Sequence, residues 1–156
     1  MIWGFVQSDL EEAAEQAAAI HTLPIELVCA VCEQESGDRK PDGLGKESWQ
    51  PWAIRAEPLF ETKYVQPLHL VPTEEWARSM SWGLMQIMGE TARELGYKGP
   101  IPQLMEPDIG IEWGCVKLVK CLKEHGDLEK SLLAYNGGGD PEYGKKVMAR
   151  MAKYKP

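Results

Sequence analysis

Only two of the 156 residues are phenylalanine and three are histidine, and the 17 lysines and arginines form no basic run. His21, His69 and His125 lie far apart and no H-E-x-x-H spacing occurs, so no catalytic metal and no cofactor is expected. The sequence has no G-x-S-x-G elbow and no phosphate-binding glycine loop, which removes two common kinds of enzyme site. A net charge of −7 without a basic patch argues against a nucleic-acid partner. No stretch approaches the ~20 consecutive apolar residues of a membrane-spanning helix. The opening residues, Met1 to Asp9, have no basic segment and too short an apolar run for a signal peptide, so none is expected within them.

What is present fits one catalytic-sized domain over residues 1–156: 44% apolar residues in a chain this long can bury about two-thirds of the unfolded surface in a single core. Cys29 and Cys32 have C-x-x-C spacing, which invites a zinc or disulfide reading. Their potential partners, Cys115 and Cys121, are spaced differently, and both pairs fall inside apolar helical patterns. Four buried free thiols are the expectation, with a disulfide or metal as the alternative.

Helical periodicity runs through most of the chain. Ser8 and Asp9 precede a helix from about residue 9 to His21, and Pro24 suits the first turn of a second that ends near Ser36 and Gly37. Residues 37–52 read as a loop anchored by Trp49 and Trp52, followed by a short extended segment, 53–57, in which Arg55 and Glu57 share a face. Further helices are expected around 73–76 and 90–95, from a cap at Asp108 to Gly126, from a cap at Asp127 to Tyr135, and after Asp140-Pro141, the last with Val147, Met148 and Met151 inward. The sum is a mainly α domain with one long, partly extended loop region.

One carboxylate stands out. At about 100° per residue, Glu35 falls on the same face of the second helix as Val28 and Cys32, whereas Glu26 and Glu33 fall on the opposite, solvent-facing side. A carboxyl group turned toward apolar neighbours loses hydration of its ionised form, so its pKa is expected to rise, as a general acid requires. The competing view is a helix-terminal glutamate that bends out to water or pairs with an arginine.

Three segments decide between them. Glu35-Ser36-Gly37, Ser81-Trp82-Gly83-Leu84-Met85-Gln86-Ile87-Met88 and Ala134-Tyr135-Asn136-Gly137-Gly138 occur in that order. Together they resemble the E-S, G-L-M-Q and A-Y-N-G-G signatures of lytic transglycosylases, over roughly residues 9–152. A softer match, Gln50-Pro51-Trp52-Ala53-Ile54-Arg55-Ala56-Glu57-Pro58, resembles an insertion found in transglycosylase-domain proteins of phages and their hosts.

The resemblance implies a lysozyme-like fold, mainly α with an α+β element, and a groove for peptidoglycan glycan strands. It implies cleavage of the bond between N-acetylmuramic acid and N-acetylglucosamine with closure of a 1,6-anhydro ring. Glu35 would act first as acid and then as base, and Tyr135 would hydrogen-bond and orient it. Ser36, Met85, Gln86 and Asn136 would contact the substrate. Glu57 is ambiguous: it could position a hydrolytic water, as in an inverting muramidase, or form an ion pair with Arg55. Asp38, Asp42 and Glu47 share that ambiguity. Of the clustered Trp49, Trp52, Trp76 and Trp82, most are expected in the core and one at most against sugar. A non-catalytic wall-binding or virion module is the remaining rival. The expected molecule is a monomer acting on the bacterial cell wall, and a phage endolysin, a virion enzyme and a bacterial remodelling enzyme all fit the signatures.

Overall fold

The computed structural model describes residues 7–37 and 49–155; Asp38, Asp42, Glu47 and the residues before Gln7 lie outside them. Its architecture follows from one segment. Leu27-Val28-Cys29-Ala30-Val31-Cys32 places apolar side chains on every side of helix α2 (Ile25–Ser36), and a helix apolar all round must be covered all round. Every residue from Leu27 to Gln34 is buried. Helices α1 (Gln7–His21) and α8 (Tyr143–Met151) pack directly on it, α6 (Pro107–His125) packs on α1, and α7 (Leu128–Tyr135) joins α6 to α8. Leu27, Val31, Leu118, Leu132 and Val147 meet in this core. Each fully buried aliphatic side chain there contributes about 2 kcal/mol of transfer free energy.

A smaller second core forms beside it. Strand β1 (Ile54–Ala56) pairs antiparallel with β2 (Met80–Trp82), which pairs with β3 (Ile87–Met88). Between β1 and β2 the chain passes through a short helical run, α3 (Pro58–Phe60) with the π turn Glu61–Val65 and the turn Gln66–Leu68, and then α4 (Pro72–Arg78). Helix α5 (Gly89–Glu94) follows β3. Trp82, Ile87, Leu104 and Tyr97 fill the interior of this lobe. Glu74 ties it together by accepting hydrogen bonds from both Arg93 and Arg78, which hold its carboxyl below the ordinary range.

Several expectations need correction. Glu106, not Asp108, occupies the cap position of α6, because Pro107 supplies the first-turn proline and moves the start two residues earlier. Met148 is exposed rather than inward, since α8 meets its neighbours through Tyr143, Gly144 and Val147. Asp127 does cap α7, accepting from the Lys130 backbone at 2.9 Å. The four cysteines are buried free thiols, and burial raises Cys29 and Cys115 to about 12. Trp49 and Trp82 are core residues, while Trp52 and Trp76 remain about half exposed, at 47% and 54%. Among the described residues, no helix is long and apolar enough to cross a membrane.

Candidate active site

Helix α2 ends where the two lobes meet, and this places Glu35 in a cleft of about 630 Å³. Its Oε1 accepts a 2.5 Å hydrogen bond from the Tyr143 hydroxyl, delivered by the first turn of α8. Burial, reinforced by the Glu35 charge, raises the Tyr143 phenol well above its ordinary value, so the group is a fixed donor across the neutral range. The end of the helix is strapped from the other lobe. Arg55 Nη2 donates to the Glu35 carbonyl at 2.6 Å, the Gln50 amide donates to the Ser36 carbonyl, and Gly37 bridges to Trp49.

Glu33 occupies a place opposite to expectation. Its side chain is buried, with Oε1 accepting from Arg150 at 2.7 Å and from Lys153, and Oε2 accepting from the Tyr154 hydroxyl at 2.6 Å. Helix α2 is enclosed on both sides: the C-terminal end of α8 and the residues after it cover the side that helical periodicity alone leaves to solvent. The six apolar residues from Leu27 to Cys32 were the available signal of an enclosed helix. Glu35, by contrast, is only half-buried, as a residue at the mouth of a cleft must be.

Tyr135 also departs from its expected contact. Its hydroxyl donates at 2.7 Å to the carbonyl oxygen of Met85, and the phenol reaching Glu35 belongs to Tyr143. Tyr135 thus joins two sequence signatures, fastening the Gly83–Gln86 turn to α7. That turn is unusually constrained. Gly83 has φ +71°, and a Cβ there would lie 2.1 Å from the Leu104 carbonyl oxygen, so only glycine fits. Gln86 adopts φ +47° and its amide is fully engaged: Nε2 donates to Ala53 and Gly83 carbonyls, and Oε1 accepts from Ser81. Gln86 lines the cleft as a clamp of its wall, with its amide already occupied. Met85 is wholly buried against Gly114, away from the cleft surface. Ser36 returns its hydroxyl to the Cys32 carbonyl within α2. Asn136 does face the cleft; its Oδ1 accepts from the Asp140 amide and so shapes the loop of glycines 137–139.

The facing wall carries Arg55, Glu57 and Phe60. Arg55 does not pair with Glu57, because its guanidinium is directed to the α2 terminus; among the described residues Glu57 makes no ion pair. Two residues of the site, Tyr143 and Lys117, were missed by the sequence reading. Lys117, from the middle of α6, lines the cleft, donates to the Tyr135 carbonyl at 2.7 Å and stands 4.3 Å above the Tyr135 ring centre. Its signal was a lysine on the face shared by Gly114 and Cys121, inside an otherwise apolar helix.

The arrangement sets a carboxyl group with a fixed phenolic donor at the edge of a cleft of about 630 Å³ walled by amides, backbone and charge, which suits acid and base chemistry. Among the described residues, no group of histidine, cysteine and acidic side chains could hold a metal ion. The family model of the transglycosylase SLT domain matches residues 12–154. No curated protein matches the chain.

Proposed function

Because the chain belongs to the transglycosylase SLT domain family, whose members cleave the glycan of peptidoglycan, we propose that it is a lytic transglycosylase with Glu35 as its one acid and base. The observation that carries this reading is the placement of Glu35. It ends a buried helix, opens into the cleft, and has one oxygen held by Tyr143 while the carboxyl still faces the groove. A protonated Glu35 would donate to the glycosidic oxygen as the bond to C1 breaks. The resulting carboxylate would then accept the proton of the muramoyl C6 hydroxyl, which attacks C1 and closes the 1,6-anhydro ring. The nucleophile belongs to the substrate, so its effective concentration is high and no second carboxylate is needed to activate water.

Tyr143 holds the carboxyl in place, and Tyr135 acts through the Met85 carbonyl by fixing the turn that forms the groove wall. Asn136 is the amide best placed for substrate. The two cores are joined through α6 and the Gly83–Gln86 turn, which supports one catalytic domain. Glu57, on the facing wall and without an ion pair among the described residues, keeps hydrolysis by a positioned water as the second reading. Clearing of purified peptidoglycan suspensions tests the assignment. Glu35→Gln should lose on the order of a thousandfold in rate while retaining the wild-type melting temperature. Clearing by that variant at the wild-type rate would remove Glu35 from the mechanism.

A further inference from the structure

Lys117 is an unusual residue for its position. Its ammonium group sits at the inner wall of the cleft, on a helix whose neighbouring positions, Gly114, Cys115, Leu118 and Cys121, are buried in the main core. Two contacts favour the charged form there. The Tyr135 carbonyl accepts one of its protons at 2.7 Å, and the Tyr135 ring face lies 4.3 Å away. An ammonium has three donors, so the Tyr135 carbonyl leaves two for the cleft.

We propose that Lys117 is a positioning residue for the reaction, a fixed cation that stabilises the Glu35 carboxylate as it forms. This rests on Glu35 being the acid and base. When Glu35 protonates the leaving oxygen, a negative charge appears on its carboxyl group in a partly dry cleft. A preorganised cation on the same wall lowers the energy of that state without needing to move. It then holds the carboxylate ready for the C6 hydroxyl. Glu35 itself provides the reciprocal support: burial lowers the Lys117 pKa, and the Glu35 charge acts against that fall. On the helical wall no other group supplies this charge: Tyr143 and Tyr135 are neutral donors, and Cys32 and Cys121 are thiols raised by burial. Arg55 is a second cation on the cleft, held from the strand wall on the backbone carbonyl of Glu35. Glu57 and Asp140, also along the cleft, carry the opposite sign.

The test compares the full chain with Lys117→Met, which removes charge and donor, and Lys117→Gln, which removes charge but keeps a donor for the Tyr135 carbonyl. With soluble muropeptide oligomers as substrate, both folded variants should lose about tenfold in kcat with KM nearly unchanged. The alkaline limb of kcat/KM should move to higher pH by about one unit. Lys117→Arg should return the limb toward the wild-type position. A wild-type limb in a folded Met or Gln variant would overturn the proposal, because a merely structural lysine changes amplitude and not position. Should neither variant fold, side-chain NMR titration of Lys117 in wild type and in Glu35→Gln decides the question. Coupling is reciprocal, so Lys117 should titrate at lower pH once the Glu35 charge is gone, and an unchanged titration would overturn the proposal. Full activity of Glu35→Gln would instead sink the underlying assignment, so the two failures are distinct.

Discussion

The two walls of the cleft are built by different rules. On the helical wall, Glu35, Lys117, Tyr135 and Tyr143 are polar groups set into the main core and engaged with one another or with backbone. On the strand wall, Arg55 on the three-residue strand β1 and Glu57 just after it are exposed, and Arg55 reaches across to the Glu35 carbonyl. Polar groups anchored on core helices by hydrogen bonds hold one geometry, whereas exposed ones can be exchanged at little cost in stability. In the proposed mechanism, proton transfer belongs to the helical wall and adaptation to the substrate to the strand wall.

Breaking the support of the helical wall should have the largest effect. Glu33→Gln leaves Arg150 and Lys153 without their shared carboxylate. Removing one partner of a fully buried ion pair costs about 3–5 kcal/mol; here the cations keep some water, and about 2 kcal/mol is expected in chemical denaturation. Unchanged stability would mean that the end of α8 does not hold α2 in place. Tyr143→Phe removes one hydrogen bond to the carboxyl group and nothing else. It should cost roughly tenfold in kcat with little change in melting temperature. A wild-type kcat would show that α8 does not orient Glu35.

The strand wall should respond least. Glu57→Gln should stay within about threefold of wild type in rate, because a reaction with an internal nucleophile does not require a second carboxylate. A loss of about a hundredfold would place Glu57 in the chemistry and erase the contrast between the walls.

The same contrast governs what could be read from sequence. Helices α1, α2, α6 and α7 were legible from their apolar periodicity and flanking prolines, although the caps expected at Ser8 and Asp9 and at Asp108 lie inside α1 and α6; Gly126 closes α6 in the left-handed region. Strands β2 and β3 were not, since three and two residues carry too little alternation to stand out. Glu35 was singled out by its motif and by its face of the helix, and it lines the cleft; facial reasoning misplaced Glu33. It failed on a helix covered from both sides. The exchange of Tyr135 for Tyr143 at the carboxylate was not legible at all. Both tyrosines end or begin helices, and only the packing of α8 against α2 tells which hydroxyl arrives. The occupied amide of Gln86 depends likewise on Ala53, 33 residues away.

In the proposed mechanism one carboxyl group performs both proton transfers while the substrate supplies the nucleophile. Mass spectrometry of muropeptides released from purified peptidoglycan tests it most directly. The expected termini are 1,6-anhydro-N-acetylmuramic acid, lighter by one water, about 18 Da, than the hydrolysed product, because the C6 hydroxyl and not solvent attacks C1. Hydrated, reducing termini as the main product would contradict it and move the second catalytic role to the strand wall.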